Sequence, residues 1–280
     1  MTVELGVMQG RLSPPYKNLI QHYPLKNWKN EFKIAKQIRL KHIEWIFEYS
    51  NFKKNIIFNN KKIIELKKII KKYGVKVNVL IMDYFIISKF FNEKNKIIKQ
   101  NLKIFKKIVK NCHSVGIRII EIPLVDNASI LKMKCKKEVI KNLKKIIMIA
   151  EMYKIKISIE SDLPPEEFKN FIEVFLPKKI YINYDIGNSA SLGYDYQDEI
   201  RLLGKYFINV HIKDRILFGK TVELGHGNSN FLSIFQSLKK IKYNGLYTIQ
   251  GARLDNKYHY IDTIKFYIKF IKNILSEANI

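Results

Sequence analysis

The amino-acid sequence predicts an α/β fold in which eight parallel strands close into a (β/α)₈ barrel. Short apolar segments of strand length alternate with amphipathic helical segments along all 280 residues, and such alternation indicates a parallel sheet. Eight units in a chain of this length fit one barrel domain over residues 1–280. A doubly wound open sheet is the alternative, but the sequence has no GxGxxG or Walker motif to favour it.

The eight predicted strands are apolar runs bounded by turn residues. They cover residues 3–8, 42–47, 75–82, 117–122, 155–160, 180–185, 207–211 and 246–250. Pro14 and Pro15 place a loop after the first strand, because proline fits neither a helix interior nor a central strand. Pro123 is expected to turn the chain out of the fourth strand for the same reason.

The predicted helices have apolar residues at helical spacing on one face and lysines on the other. They cover residues 28–39, 61–73, 95–115, 136–153, 231–241 and 264–275, with shorter helices beginning near 165 and ending at 203. Gly74 and Gly116 follow two of them, as glycine often does at a helix C-terminus. These helices are expected to surround the barrel.

Composition gives weak evidence about partners and location. Lysine and arginine exceed the acids by 26, but the lysines are spread over the solvent faces of many helices, so no specific nucleic-acid partner is expected. Cys112 and Cys135 form no metal or redox spacing, which suggests a reducing compartment. The sequence contains no signal peptide and no membrane-spanning apolar run, so a cytoplasmic protein without a membrane partner is expected.

Four potential metal ligands end four successive strands. Glu160 closes KISIE, Asp185 closes YINYD, His211 closes FINVH and Gln250 closes YTIQ. In a (β/α)₈ barrel the carboxyl ends of the strands form the reactive face, so these side chains should converge. Taken singly, a strand-end Asp can be a helix cap and a His can be an ordinary core residue.

A divalent metal ion is the expected partner of these four side chains. Two buried carboxylates raise each other's pKa unless a cation neutralises them. Three oxygen donors and one imidazole suit Mn²⁺, Mg²⁺ or Co²⁺, with Zn²⁺ possible. The sequence therefore predicts one divalent ion held by Glu160, Asp185, His211 and Gln250.

The chain resembles the sugar phosphate isomerase/epimerase family, the xylose isomerase-like barrels that also include endonuclease IV. The resemblance rests on LGVMQGRLSPP (5–15), IEWI (43–46), IEIPLVD (120–126), ISIESD (157–162), YDIGNSASLGYD (184–195), VHIKDR (210–215) and YTIQGAR (247–253). It implies the same four metal ligands. The six histidines do not follow the endonuclease IV pattern, which argues against a DNA-repair nuclease.

Two positions depart from the pattern of the epimerases in this family. Relatives carry Glu where this chain has Gln250, and several carry His where it has Asn188, a candidate substrate-binding residue. An amide oxygen can ligate a metal but cannot take a proton. A mechanism with two metal-bound glutamates on opposite faces of the substrate is therefore in doubt for this chain.

The resemblance implies proton transfer through a metal-stabilised enediolate of a small sugar or sugar phosphate. Glu160 is the candidate general base, or else only a ligand, and Glu121 at the fourth strand is a second possible acid or base, or else a loop cap. Lys213, Arg215 and Arg253 are candidates for binding substrate phosphate or carboxylate; the alternative is that they pair with local acids such as Asp214.

An isomerase or epimerase is thus the leading prediction of function. A lyase on the same scaffold, like the inosose and dehydroshikimate dehydratases, is the second. A non-catalytic sugar-binding barrel is the third, since Gln250 removes one catalytic group. Relatives are often dimers or tetramers, so a homo-oligomer is possible.

Overall fold

Eight parallel strands close into a barrel in the computed structural model, which describes residues 3–17, 19–134, 136–177, 180–254 and 257–280. In chain order they are β1 Leu5–Met8, β2 His42–Ile46, β3 Val79–Ile81, β4 Ile119–Leu124, β5 Lys156–Ser161, β6 Tyr181–Asp185, β7 Phe207–Ile212 and β8 Leu246–Ile249. Each strand pairs with its chain neighbours, and β8 closes the ring on β1. This confirms the predicted (β/α)₈ barrel and excludes the open sheet.

Ten α-helices occur in the described residues. They are α1 Trp28–Gln37, α2 Ile63–Tyr73, α3 Tyr84–Ile87, α4 Asn95–Val115, α5 Lys137–Glu151, α6 Pro165–Glu173, α7 Ile186–Leu192, α8 Tyr196–Leu203, α9 Phe231–Lys240 and α10 Tyr260–Glu277. The long helices bury their apolar stripes against the strands, as Phe105, Ile108 and Cys112 of α4 do. Gly116 ends α4 with φ 94°, a left-handed conformation that glycine adopts without strain. Cys135 lies outside the described residues.

Pro123 corrects one expectation, because it lies inside β4 rather than beyond it. It pairs with Glu160 of β5, while the last pair between β4 and β3 is Glu121 with Ile81. The missing N–H of Pro123 therefore costs no hydrogen bond to β3, since that strand has already ended. A proline is tolerated in this central strand because one of its neighbours is shorter.

Two short helices at the carboxyl ends of the strands were not predicted. α3 follows β3 and α7 follows β6 directly. α7 contains Gly187, Asn188 and Ser189, which are poor helix formers, so its sequence alone gives little sign of it. A two-stranded antiparallel hairpin, Asp214–Arg215 with Thr221–Val222, also follows β7. None of the described helices has the length and apolar character needed to cross a membrane.

Glu31 on α1 is a buried carboxylate that supports the loop after β1. Its Oε1 accepts hydrogen bonds from Gly10 N at 2.8 Å and Ser13 Oγ at 2.9 Å. Burial raises its pKa from 4.5 to about 8 although these hydrogen bonds oppose the shift. The native state therefore binds a proton at Glu31 more tightly than the unfolded state does.

We expect Glu31→Gln to flatten the dependence of stability on pH. Because the folded-state pKa of Glu31 is raised, its protonation contributes stability that is fully present below pH 4.5 and is lost as the pH rises to about 8. In that range the free energy of unfolding of the wild type falls by at most about 1.4 kcal/mol per pH unit. Urea unfolding between about pH 5 and about pH 8 measures this pH dependence of the free energy of unfolding. It is carried out on the wild type, on Glu31→Gln and on the exposed control Glu277→Gln. An unchanged slope in Glu31→Gln would contradict the assignment.

Candidate active site

His211 lies inside the barrel on β7 and is fully buried. Its Nε2 lies 3.1 Å from Glu44 Oε2 and 3.6 Å from Glu121 Oε2. Its Nδ1 lies 3.8 Å from Glu160 Oε2 and 3.9 Å from Asp185 Oδ2. One imidazole is therefore surrounded by four carboxylates from four other strands, two at each ring nitrogen.

The charges in this cluster shift one another's pKa. Burial alone would lower the pKa of His211, but attraction to Glu44, and then to Glu160 and Asp185, raises it. Burial also raises the pKa of Glu160, and repulsion from Asp185 adds to this. For Glu121, burial followed by repulsion from Glu44 and Glu160 holds the pKa well above its usual range. The cluster lacks positive charge for its number of carboxylates.

Glu44 is a site residue that the sequence analysis did not identify. Its Oε2 accepts hydrogen bonds from Asn209 Nδ2 at 3.0 Å and from His211 Nε2 at 3.1 Å. Burial would raise its pKa, but attraction to His211 and the hydrogen bonds outweigh burial and lower it. Because a carboxylate only accepts, the contact places an N–H on Nε2. When His211 is neutral, the Nδ1 lone pair then lies on the side of Glu160 and Asp185.

Other polar residues of the barrel interior were also missed, although the sequence contains a signal for them. Side chains alternate between the two faces of a strand, so the residue two positions before each strand-end ligand faces the same interior. Those residues are Ser158, Asn183, Asn209 and Thr248, all polar and all buried. Asn183 Nδ2 donates to Glu160 Oε2 at 3.4 Å and lies 3.0 Å from His211 Nδ1, which accepts from it when the imidazole is neutral.

Asp185 both faces His211 and caps α7. Its Oδ1 accepts from Asn188 N at 2.8 Å, the hydrogen bond that an N-cap residue makes to its helix. Its Oδ2 lies 3.0 Å from Lys213 Nζ. The helix comes close to the chain after β7, because a Cβ on Gly187 would lie 2.7 Å from Lys213 Cγ. Glycine at this position thus allows Lys213 to pass beside α7 and reach Asp185.

Asn188 connects the two strand-end carboxylates to the two cations. Its Nδ2 donates to Glu160 Oε1 at 2.6 Å. Its Oδ1 accepts from Lys213 Nζ at 2.9 Å and from Arg215 Nη1 at 2.8 Å. The orientation of this amide is therefore fixed at both ends. One oxygen of Glu160 is occupied by Asn188, and the other faces His211 Nδ1.

A cavity of about 670 Å³ opens above the strand ends, a size typical of sites for small molecules. Glu160, Asn188, Lys213, Arg215 and Gln250 are among the residues that line it. Its lining also includes the apolar side chains of Ile20 and Phe218 from loops and of Ile86 from α3. The Phe218 side chain is 81% exposed. The cavity thus combines charged and apolar side chains.

Four predicted site residues are not among those that line this cavity: Asp185 and His211, described above, and Glu121 and Arg253. Glu121 is fully buried in the barrel interior, and neither of its oxygens meets a hydrogen-bond donor. Arg253 donates from Nη2 to Gly10 O at 2.6 Å and to Ser13 O at 3.0 Å. The guanidinium of Arg253 thus holds the loop after β1. Asp214 accepts from backbone N–H groups of Gly225 and other loop residues.

The family of the chain follows from comparison with known proteins. The model of the xylose isomerase-like TIM barrel family matches residues 27–269, most of the barrel just described. The chain belongs to this family. Membership in the xylose isomerase-like family confirms the resemblance read from the strand-end motifs.

Curated relatives extend the comparison at low identity. L-ribulose-5-phosphate 3-epimerase UlaE of Shigella flexneri is 24% identical over 234 residues, which cover 80% of this chain and 81% of that protein. An uncharacterised protein of Methanocaldococcus jannaschii is 25% identical over 146 residues, which cover 48% of this chain and 50% of that protein. The chain therefore spans about half of the length of the second relative.

Solved structures share the fold of the xylose isomerase-like family with this chain. IolI protein with a bound zinc atom has a TM-score of 0.77 at 16% identity, with 99% of each chain covered. D-psicose 3-epimerase with D-tagatose, from Clostridium cellulolyticum H10, has a TM-score of 0.74 at 13% identity, covering 98% of this chain and 99% of that one. At these identities the likeness shows the fold alone.

The residues of this chain fit a divalent ion on their own chemistry. Ligand atoms of Glu160, Asp185 and His211 lie within 4.8 Å of one another, and all three residues are buried. The Oε1 atom of Gln250 is buried without a hydrogen-bond partner. The orphaned carbonyl oxygen, two buried carboxylates and the imidazole nitrogen that Asn183 contacts at 3.0 Å are the kinds of donor that a divalent ion would bind. Glu44, which holds the other nitrogen of His211, is the outer partner that metal-bound histidines typically have.

Proposed function

We propose that this chain is a divalent-metal-dependent isomerase or epimerase of a small sugar or sugar phosphate. One observation carries the proposal: Glu160 and Asp185 face His211 Nδ1 at 3.8 and 3.9 Å. Glu160 also lines the large cavity. The names of the relatives, several of which are sugar epimerases, support the substrate class.

The proposed ligands are Glu160, Asp185, His211 and Gln250. Mn²⁺, Mg²⁺ or Co²⁺ suit this mixture of oxygen and nitrogen donors, and Zn²⁺ is also compatible. When bound, the ion supplies positive charge that stabilises negative charge developing on the substrate oxygens. The neutral Gln250 gives the ligand set one negative charge fewer than a glutamate there would.

Glu160 is the proposed general base for the carbon-bound proton next to the substrate carbonyl. It is a carboxylate on the cavity wall, and a positioned carboxylate can take a carbon-bound proton. Asn188 donates to its Oε1 at 2.6 Å, which orients the group and leaves Oε2 towards the barrel axis. Gln250 cannot take a proton, so Glu160 acts without a second glutamate on β8.

Lys213 and Arg215 are the proposed substrate-binding cations, with Asn188 between them. Both line the cavity, although each already donates hydrogen bonds to Asn188. A substrate anion would therefore share these donors. The roles predicted for Arg253 and Glu121 stay predictions from the sequence, since Arg253 donates to the loop after β1 and Glu121 meets no donor in the barrel interior.

We expect turnover of ketoses or ketose phosphates in D₂O to place deuterium at the carbon whose configuration or oxidation level changes. Proton transfer through a shared carboxylate exchanges the carbon-bound proton with solvent. The chain is stripped of metal, loaded with Mn²⁺ or Co²⁺ and incubated with a panel of such sugars. NMR and mass spectrometry then identify the product.

The product separates the competing functions. An isomer or epimer with one deuterium and otherwise unchanged elemental composition supports the proposal. Loss of one water would instead establish a dehydratase. Metal and sugar binding without any exchange in the panel would favour the non-catalytic barrel.

Four expectations from the sequence stay predictions alongside this proposal. They are the single domain over residues 1–280, the cytoplasmic location, the possible homo-oligomer and the absence of a specific nucleic-acid partner. Binding to DNA that depends steeply on salt would reveal a partner that acts through the net charge of +26.

A further inference from the structure

Gln250 is connected across the top of the barrel to Asp83 by way of Gln21. Gln250 Nε2 donates to Gln21 Oε1 at 3.0 Å, and Gln21 Nε2 donates to Asp83 Oδ2 at 2.7 Å. Gln250 follows β8, Asp83 follows β3, and Gln21 lies in the loop between β1 and α1. All three side chains line the cavity that contains Glu160.

The direction of these two hydrogen bonds follows from the chemistry of Asp83. An ionised carboxylate only accepts hydrogen bonds, so Gln21 must turn its NH₂ group towards Asp83. The Gln21 oxygen then faces Gln250, and Gln250 must in turn offer its NH₂ group to Gln21. Burial raises the pKa of Asp83 to about 7, so this direction is fixed in mildly alkaline solution.

The oxygen of Gln250 is consequently turned away from Gln21. It is buried and meets no hydrogen-bond donor. A buried carbonyl without a partner is costly and needs an explanation. A metal ligand accounts for this atom, because an amide binds a hard cation through its oxygen and not through its nitrogen.

We propose that Asp83, acting through Gln21, is a positioning residue that fixes the amide of Gln250 with its oxygen free to bind the metal ion. The inference rests on the metal site of the proposed function and extends it to two residues from distant parts of the chain. Gln250 serves as a ligand because the hydrogen-bonded chain from Asp83 leaves its amide only one orientation.

The substitution Gln250→Glu reverses the direction of the hydrogen bond between position 250 and Gln21. The new carboxylate cannot donate to Gln21, so Gln21 must turn its NH₂ group towards position 250 and place its oxygen against Asp83. Two acceptors would then face each other. Asparagine at position 83 removes the conflict, because it can donate to the Gln21 oxygen. The effect of Gln250→Glu should therefore depend on the residue at position 83.

The test is a double-mutant cycle on Co²⁺ affinity, measured by calorimetry on the metal-stripped full chain in mildly alkaline buffer. The four proteins are the wild type, Asp83→Asn, Gln250→Glu and the double variant. Gln250→Glu multiplies the Co²⁺ affinity by some factor in each background. We expect this factor to be about tenfold larger in the Asp83→Asn background than in the wild type. Gln21→Met, which removes both hydrogen bonds, should weaken Co²⁺ binding to the otherwise wild-type chain about tenfold.

Repeating the cycle in the Gln21→Met background separates positioning from simple charge repulsion between positions 83 and 250. Coupling carried by the Gln21 amide should disappear there, whereas direct repulsion would persist. Two results would overturn the inference while leaving the metal site intact. One is an equal effect of Gln250→Glu in the wild type and in Asp83→Asn; the other is coupling between positions 83 and 250 that survives Gln21→Met. Failure of the wild type to bind Co²⁺ would overturn the proposed metal site and this inference with it.

Discussion

Glu160→Gln should lower kcat by about a thousandfold at saturating Mn²⁺, because it removes the group proposed to take the substrate proton. Asn188 donates to Glu160 Oε1, and Lys213 and Arg215 hold the Asn188 oxygen. The new amide must therefore accept from Asn188 and turn its NH₂ group towards the metal side. Mn²⁺ should bind more weakly to this variant, and turnover is compared only after its affinity has been measured.

Deuterium exchange distinguishes a base from a mere ligand at Glu160. If Glu160 is the base, the metal-saturated Glu160→Gln variant should lose exchange of the substrate proton together with turnover. Asp126→Asn is the control, since Asp126 is a carboxylate that also lines the cavity but has no part in the proposed proton transfer. Wild-type exchange in saturated Glu160→Gln would assign the base to another residue.

His211→Ala should weaken Mn²⁺ binding by more than about 100-fold. Removal of a residue that only hydrogen-bonds to a metal ligand typically costs about 10- to 100-fold. It deletes the only nitrogen donor of the proposed site. It also leaves Glu44, Glu121, Glu160 and Asp185 without the imidazole between them. Calorimetry on the metal-stripped chain measures the change, and circular dichroism checks that the barrel is folded.

His42→Gln provides the matched control for the loss of a barrel histidine. His42 is buried on β2 and its Nε2 lies 3.2 Å from Thr248 Oγ1, a contact that glutamine can retain. Burial lowers its pKa to about 4, so it is neutral at the pH of the experiment. His42→Gln should therefore bind Mn²⁺ with wild-type affinity. If His211→Ala also bound Mn²⁺ with wild-type affinity, His211 would not be a ligand.

The sequence predicts the barrel well because each unit repeats the same physical pattern. Apolar strands, amphipathic helices and glycine stops such as Gly116 are local signals that agree with one another. The helix and strand boundaries differ from the prediction where tertiary contacts decide them. α7 forms from poor helix formers because Asp185 caps it and because Gly187 allows it to lie against Lys213, and neither contact is visible in a sequence window.

The candidate site is predictable from the sequence at the strand ends and, through side-chain alternation, two positions before them. A polar residue that closes an apolar run, such as Asp185 or His211, is conspicuous. Glu44 lies inside a strand, and its role depends on reaching His211 on another strand of the barrel, at 3.1 Å. Gln21 and Asp83 belong to loops, and their link to Gln250 depends on the closed barrel. Contacts of this kind follow from the fold and not from local pattern.

Crystals of the chain grown with Mn²⁺ test the central claim most directly, by anomalous diffraction from the ion. The account predicts one anomalous peak per chain within about 2.5 Å of oxygens from Glu160, Asp185 and Gln250 and of His211 Nδ1. A peak beside Glu44 and Glu121 instead, or no peak at saturating Mn²⁺, would contradict it.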